Sequence, residues 1–97
     1  MNFLNLHHIL AEGRLEAAPE YTELESGMPR TTFIIKDLEN KTGYKFLKIV
    51  TWSAVAETCA RYLAAGHPVR VRGRVDKAAN GETVFLIAQA VEFLPRV

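Results

Sequence analysis

The sequence predicts an all-β domain of five strands, arranged as a Greek-key barrel, with one α-helix between the third and fourth strands. Valine and arginine alternate over residues 69–75, which is typical of a half-buried strand. An apolar stripe at helical spacing begins after Ser53 and ends before Gly66. The chain has 97 residues, 48% of them hydrophobic, which is enough for one modest core, so we expect residues 1–97 to form a single domain.

Composition narrows the class of protein. No apolar run approaches the roughly 18 residues of a membrane helix, and the N-terminal residues lack the pattern of a signal peptide. The single cysteine, Cys59, cannot form an internal disulfide. We therefore expect a protein of the reducing cytoplasm that does not associate with membranes.

The charge is unevenly distributed although the formal net charge is only +1. Residues 1–30 contain five acidic and two basic side chains, whereas residues 31–97 contain ten basic and six acidic ones. A basic surface is therefore expected on the later elements, and an acidic one on the early segment.

Three strands are predicted in the first half of the chain. Residues 3–15 are apolar-rich without a helix-start signal, and residues 30–38 are rich in Thr, Ile and Phe, which favours strands. Residues 16–28 contain a proline, a glycine and four of the five acids of residues 1–30, and are predicted to form a loop. A polar turn at 39–43 then leads to the third strand, 44–52.

The two sides of the third strand differ in character. Leu47 and Ile49 lie on one side and suit a core. The other side carries two aromatic rings and an ammonium group, which do not suit a dry interior. We expect three of its residues to face outward: Phe46, Lys48 and Trp52.

The helix is predicted from Ser53, a good N-cap residue, to the turn that contains Gly66. Pro68 prevents the helix from resuming beyond that turn. The apolar stripe consists of Val55, Cys59, Tyr62 and Leu63.

The fourth strand, residues 69–75, is expected to direct its valines inward and its arginines outward. Ala79-Asn80-Gly81 predicts a hairpin turn. Residues 83–94 are apolar on both sides, so this last strand is buried on both sides or used in an interface. The order of three strands, a helix and two strands is that of an OB-type barrel.

An ordered set of short motifs runs through the chain. It consists of Gly13-Arg14-Leu15, Pro19-Glu20, Tyr21-Thr22, Gly27 and Phe33, then Phe46-Leu47-Lys48-Ile49-Val50-Thr51-Trp52, then Ala56-Glu57, Tyr62-Leu63, Gly66, Val69, Val71, Gly73-Arg74 and Phe93-Leu94. No single motif is specific, but together, over residues 6–94, they resemble the bacterial and phage single-stranded DNA-binding proteins. The resemblance implies an OB-fold that binds single-stranded DNA without strong sequence preference, as a homodimer or homotetramer.

The same resemblance suggests which residues contact DNA. Phe46 and Trp52 fall on positions that the family uses to stack bases, and Lys48 falls on a basic position between them. The alternation of side chains along the third strand independently places all three on its outward side. Further candidate phosphate contacts are Lys36, Arg72 and Arg74.

Structural alternatives exist for these residues. Trp52 could pack against the core beside the helix, and Phe46 could be an oligomer contact. Lys36 could be an ordinary solvated charge. The outward row of Arg70, Arg72 and Arg74 falls where the family packs one dimer on another. If these arginines were buried between two dimers they would need carboxylate partners, for which Glu12 and Glu92 are candidates. If they have no such partners, the arginine row would favour a dimer over a tetramer.

The chain departs from the family in its loops and at its end. The loops at 39–43 and 77–81 are short and contain no aromatic residue. The sequence ends at Pro95-Arg96-Val97 without an acidic, aromatic-ended tail; either the protein is a minimal variant or the tail lies outside this sequence. The chain also resembles the short primosomal replication protein N, although the helix favours the single-stranded DNA-binding proteins proper.

No other chemistry is predicted. His7, His8 and His67 are not positioned as metal ligands, and Cys59 is expected to be a buried apolar residue. Enzyme signatures and cofactor motifs are absent from the sequence. The leading hypothesis is a non-enzymatic, cofactor-free protein that coats single-stranded DNA in replication, recombination or repair and has possible partners among the proteins of those processes. The alternative is an interaction module of the replication-restart primosome that mainly contacts a protein.

Overall fold

The computed structural model describes residues 8–38, 43–78 and 80–96. Within these residues the fold consists of strands and one helix, as the sequence predicts. The elements are β1 (His8–Arg14), β2 (Glu20–Glu23), β3 (Pro29–Lys36), β4 (Phe46–Trp52), α1 (Ser53–Tyr62), β5 (Pro68–Ala78) and β6 (Thr83–Phe93). The predicted turn at 39–43 and the first residues of the predicted first strand fall largely outside the described residues.

The described strands form one six-stranded sheet in the order β1-β5-β6-β4-β3-β2. Its pairs are antiparallel except for β4 and β6, which run parallel. The additional strand is β2, which lies inside the segment predicted to be a loop and pairs with β3. All four side chains of β2 are exposed, so no apolar alternation marks it in the sequence.

The sheet is not closed, so the predicted closed barrel of five strands is not confirmed. The end of β1 nevertheless approaches β3 through a single bridge between Leu15 and Ile35. The Glu16 N–H also donates to the Ile34 carbonyl oxygen at 2.8 Å. Gly13 permits this approach, because a Cβ at that position would overlap the backbone carbonyl oxygen of Lys36.

The core lies on the inner side of the curved sheet, under α1. Leu47 and Ile49 are fully buried, as the parity of the third strand predicts. Val69 and Val71 are also fully buried, while Arg72 and Arg74 on the same strand are exposed. The alternation in β5 therefore predicts correctly which side of that strand faces the interior.

The helix begins and packs differently from its prediction. Trp52 occupies the N-cap position and no side chain caps the helix, whereas Ser53 adopts a φ of 57° and donates its hydroxyl to the Met28 sulfur at 3.0 Å. Ser53 is therefore not the N-cap. The helix ends at Tyr62, before the turn in which Gly66 adopts a φ of 82°.

The buried stripe of α1 is rotated relative to the predicted one. Tyr62 is 59% exposed, so its predicted place in the stripe is wrong. Ala56, Cys59 and Leu63 are buried instead, at spacings of i, i+3 and i+7. Both stripes fit a helical period, and contact with the sheet selects this one.

One buried threonine bonds α1 to the sheet, and a second bonds the two strands beneath the helix. The Thr31 hydroxyl in β3 donates to the Ala56 carbonyl oxygen of α1 at 2.7 Å. The Thr51 hydroxyl in β4 donates to the Thr31 carbonyl oxygen at 2.8 Å. These bonds satisfy polar groups that burial would otherwise leave unpaired.

The β5–β6 hairpin turns at the predicted asparagine. The Asn80 side-chain oxygen accepts hydrogen bonds from the backbone N–H groups of Glu82 at 2.8 Å and Thr83 at 2.9 Å. The pairing of the two strands shifts twice, between Arg72 and Gly73 and between Val75 and Lys77. These irregularities change which β5 side chains share a face with those of β6.

Candidate nucleic-acid interface

The outward sides of β3, β4 and β6 form a continuous surface, which we call the outer face. Across β3 and β4, Lys36 lies opposite Phe46 and Arg30 lies opposite Trp52. On the other side of β4, Lys48 is in register with Phe85 of β6. Facing residues on adjacent strands point to the same side of a sheet, so these side chains share one surface.

Cations and aromatic rings alternate on the outer face. The Arg30 guanidinium carbon lies 5.5 Å from the centre of the Trp52 ring. The Lys48 ammonium nitrogen lies 5.6 Å from the Phe85 ring centre. Further contacts of this kind pair Lys45 with Phe46 at 5.4 Å and Lys77 with Phe85 at 5.7 Å. Flat rings next to positive charges are the elements of a surface that binds single-stranded nucleic acid.

The outer face is accessible. Trp52 is 36% exposed and is absent from the buried core, so it does not pad the interior beside α1. Phe46 and Lys48 are half-buried, while Val50, which lies between Lys48 and Trp52 on the same side of β4, is buried. The outer face therefore exposes aromatic rings and lysine side chains, which lie beside the buried apolar side chain of Val50.

The structure brings four of the six predicted contact residues together directly: Phe46, Lys48, Trp52 and Lys36. Arg74 lies opposite Ile87, which is itself in register with Val50, so Arg74 borders the outer face. Arg72 lies elsewhere. It is opposite Leu10 and Ala90 and lines a cleft with Arg70 and Glu92 on the β1 side of the sheet.

Arg70 has both of its predicted carboxylate partners. Its guanidinium contacts Glu12 at 2.6 Å and Glu92 at 3.0 Å, and thereby links β5 with both of its neighbouring strands. The hydrogen bond to Glu12 is the main cause that holds the pKa of Arg70 above its usual value. No ion pair to Arg72 or Arg74 is found within the described residues.

Four residues on or beside the outer face are missing from the predicted site: Arg30, Lys45, Lys77 and Phe85. The apolar pattern on both sides of the last strand conceals which side Phe85 occupies. Arg30 could have been found from parity, because it precedes Lys36 by six residues on the same strand. Its Nε is buried beside Trp52 and has no hydrogen-bond partner among the described residues.

A sequence model of the single-strand binding protein family matches residues 6–84. This match covers most of the chain. The chain belongs to the single-strand binding protein family.

One curated relative in this family is a single-stranded DNA-binding protein from Oceanobacillus iheyensis, with 28% identity over 102 residues. The match covers 92% of this chain but 63% of that protein, so the chain spans less than two thirds of the relative's length.

Solved structures of single-strand binding proteins show the same fold. The wild-type single-stranded DNA binding protein from Thermus aquaticus superposes with a TM-score of 0.79 at 19% identity, over 100% of this chain and 45% of that chain. The single-strand binding domain of a Synechococcus protein gives a TM-score of 0.73 at 17% identity, over 89% and 93% of the two chains. The predicted OB-type architecture is thus confirmed at the level of the fold.

Two other kinds of feature are not found in the part of the chain that the structure describes. No group of three or more histidine, cysteine or acidic side chains is placed to hold a metal ion in the described ranges. The single described helix has ten residues, too few to cross a membrane.

Proposed function

We propose that this protein binds single-stranded DNA on the outer face, without strong sequence preference and without enzymatic activity. The observation that carries the proposal is the alternation of cations and rings across β3, β4 and β6. Membership of the single-strand binding protein family and the names of its relatives support it.

Base stacking supplies the part of the affinity that is independent of charge. Each base stacked on an aromatic ring contributes about 1–3 kcal/mol, and every base offers a flat face. Phe46 and Trp52 are six residues apart on β4, so their Cα atoms are about 20 Å apart at roughly 3.3 Å per residue. They therefore stack different nucleotides along the strand rather than the same base.

The cations supply the salt-dependent part. Arg30, Lys36, Lys48 and Lys77 lie beside or between the rings, at positions suited to phosphates. Each neutralised phosphate of a single strand changes the slope of log K against log salt by about −0.7.

The test is a titration with an oligothymidylate that follows Trp52 fluorescence. Trp52 is the only tryptophan in the chain, so its signal reports directly on the outer face. We expect quenching on binding, and an affinity that falls as salt is raised. Absence of both quenching and salt-sensitive binding would refute the proposal.

Oligomer formation and the cellular process belong to the same proposal. A homodimer or homotetramer, a cytoplasmic location, and a role in protecting exposed strands during replication, recombination or repair stay predictions. The primosomal alternative predicts a stable protein complex with negligible DNA affinity at low salt. The ring and cation contacts of the outer face favour DNA as the main ligand.

A further inference from the structure

Strand β2 has one open edge. It is the last strand in the sheet order, and its only partner among the described strands is β3. All four of its side chains, residues 20–23, are exposed. An open edge exposes unpaired backbone N–H and C=O groups, which can pair with a further strand.

The side of β2 that faces α1 is partly apolar. Tyr21 lies opposite the inward-facing Thr31, which places its ring on the helix side of the sheet. The ring is 46% exposed and, with Glu57, Ala60 and Arg61, lines an open cleft of about 480 Å³. A strand added to β2 would direct alternate side chains into this cleft.

Negative charge predominates at the open edge. Glu23 lies on the same side of β2 as Tyr21, Glu25 follows the strand, and Glu57 lines the cleft on α1 together with the cation Arg61. Glu20 points to the other side of β2, where it lines a pocket with Lys48. None of these carboxylates forms an ion pair within the described residues. Partial desolvation of Tyr21, followed by the negative charges of Glu23 and Glu57, raises the pKa of its phenol.

We propose that β2 accepts one additional strand from a partner protein, an extended segment in which lysine or arginine alternates with apolar residues. Backbone hydrogen bonds to the open edge hold the segment. Its cations point to the helix side, where they meet the Tyr21 ring and the carboxylates of Glu23 and Glu57, and its apolar side chains point to the other side of the sheet. This function is separate from DNA binding and uses a different surface from the rings of β4 and β6.

Charge decides between this occupant and two others. A second copy of β2 would place its glutamates against those of the first, which is destabilising for facing strands. Nucleic acid would bring phosphates against the same carboxylates. A cationic segment alone gains from both the charge and the open edge.

The test uses a fluorescein-labelled synthetic peptide of alternating lysine and valine and measures fluorescence anisotropy against the full chain without DNA. We expect saturable binding. The same peptide with every backbone nitrogen methylated keeps its charges but cannot donate to the edge. We expect that form to bind at least about ten-fold more weakly. Equal binding of the two peptides would overturn the proposal, because charge alone would then explain the attraction.

Two charge variants locate the site. Glu23→Gln is expected to weaken peptide binding about two- to five-fold, the usual range for one exposed ion pair. Glu82→Gln removes the same charge at the β5–β6 turn and should leave the affinity unchanged. Equal effects of the two variants would contradict binding at β2. The peptide measurement does not involve DNA. The strand-addition proposal and the DNA-binding proposal are therefore tested independently of each other.

Discussion

At the scale of single residues, Trp52 combines exposure with a firm position. Its backbone ends β4 and caps α1, and its ring packs under the Arg30 guanidinium. A ring held in this way loses little conformational freedom when a base stacks on it.

Replacement of Trp52 by alanine should weaken binding to oligothymidylate and oligocytidylate alike, by a factor corresponding to about 1–3 kcal/mol. The readout is anisotropy of a labelled oligonucleotide. Tyr62→Ala is the matched control, because Tyr62 is 59% exposed and lies on α1, on the opposite side of the sheet from the outer face. A loss confined to one base composition would contradict stacking.

Lys48 is expected to act through its charge. Lys48→Gln should reduce the magnitude of the slope of log K against log salt by about 0.7, since one phosphate contact is lost. The measurement is a series of titrations at increasing salt. Arg61→Gln removes a cation from α1 and should leave the slope unchanged; a slope that shifts equally in both variants would indicate a general charge effect.

Cys59 links burial to stability at alkaline pH. Burial raises the pKa of its thiol from 9.0 to about 11. Above pH 9 the thiol ionises in the unfolded chain but stays protonated in the folded one, so stability falls as pH rises through this window. Between pH 9 and pH 10 the free energy of unfolding of the unsubstituted protein should fall by about 1 kcal/mol more than that of the Cys59→Ala variant. Urea unfolding of both proteins measures this difference, and parallel pH profiles would contradict it.

At the scale of elements, the attachment of α1 is polar as well as apolar. Thr31→Val removes the hydroxyl that donates to the Ala56 carbonyl oxygen and should cost about 1–2 kcal/mol in free energy of unfolding. Thr58→Val makes the same exchange on the exposed side of the helix, where the cost should be within about 0.5 kcal/mol. Urea unfolding measures the free energy of unfolding of both variants. Equal losses would mean that the buried hydrogen bond contributes no more to stability than the exposed one.

The elements also show where sequence reasoning reached its limit. The parity of β4 and the alternation of β5 predict correctly which side chains face inward, because each depends on one strand only. Strand β2 was missed because its stability comes from backbone pairing with β3, which leaves no apolar pattern in residues 20–23. Tyr62 was misplaced because two stripes of α1 satisfy the same period.

At the scale of the whole molecule, the approach of β1 to β3 brings the two halves of the sheet together. Gly13→Ala should destabilise the fold by about 1–3 kcal/mol, because the new methyl group would overlap the Lys36 carbonyl oxygen. Gly81→Ala is the control, since a Cβ there meets no atom within 4 Å. Thermal unfolding of the two variants checks the prediction, and a Gly13 variant as stable as the control would contradict it.

The whole molecule also separates its charges. Carboxylates predominate at the open edge of β2, whereas lysines and arginines accompany the rings on β4 and β6. The uneven charge of the sequence predicts two such regions, but their positions in space depend on the sheet order. One molecule can therefore present an anionic and a cationic surface at a net charge of +1.

The amino-acid sequence by itself determined the all-β class with one helix, the buried side of β4 and β5, and the outward placement of Phe46, Lys48 and Trp52. These are properties of a single segment, because the periods of strands and helices are local. Only the tertiary structure decided that Phe85 lies beside Lys48, that Arg30 covers Trp52, and that Arg72 lies apart from them. Such neighbours depend on the pairing of distant strands and on irregularities in their register, and both are set by packing of the whole chain.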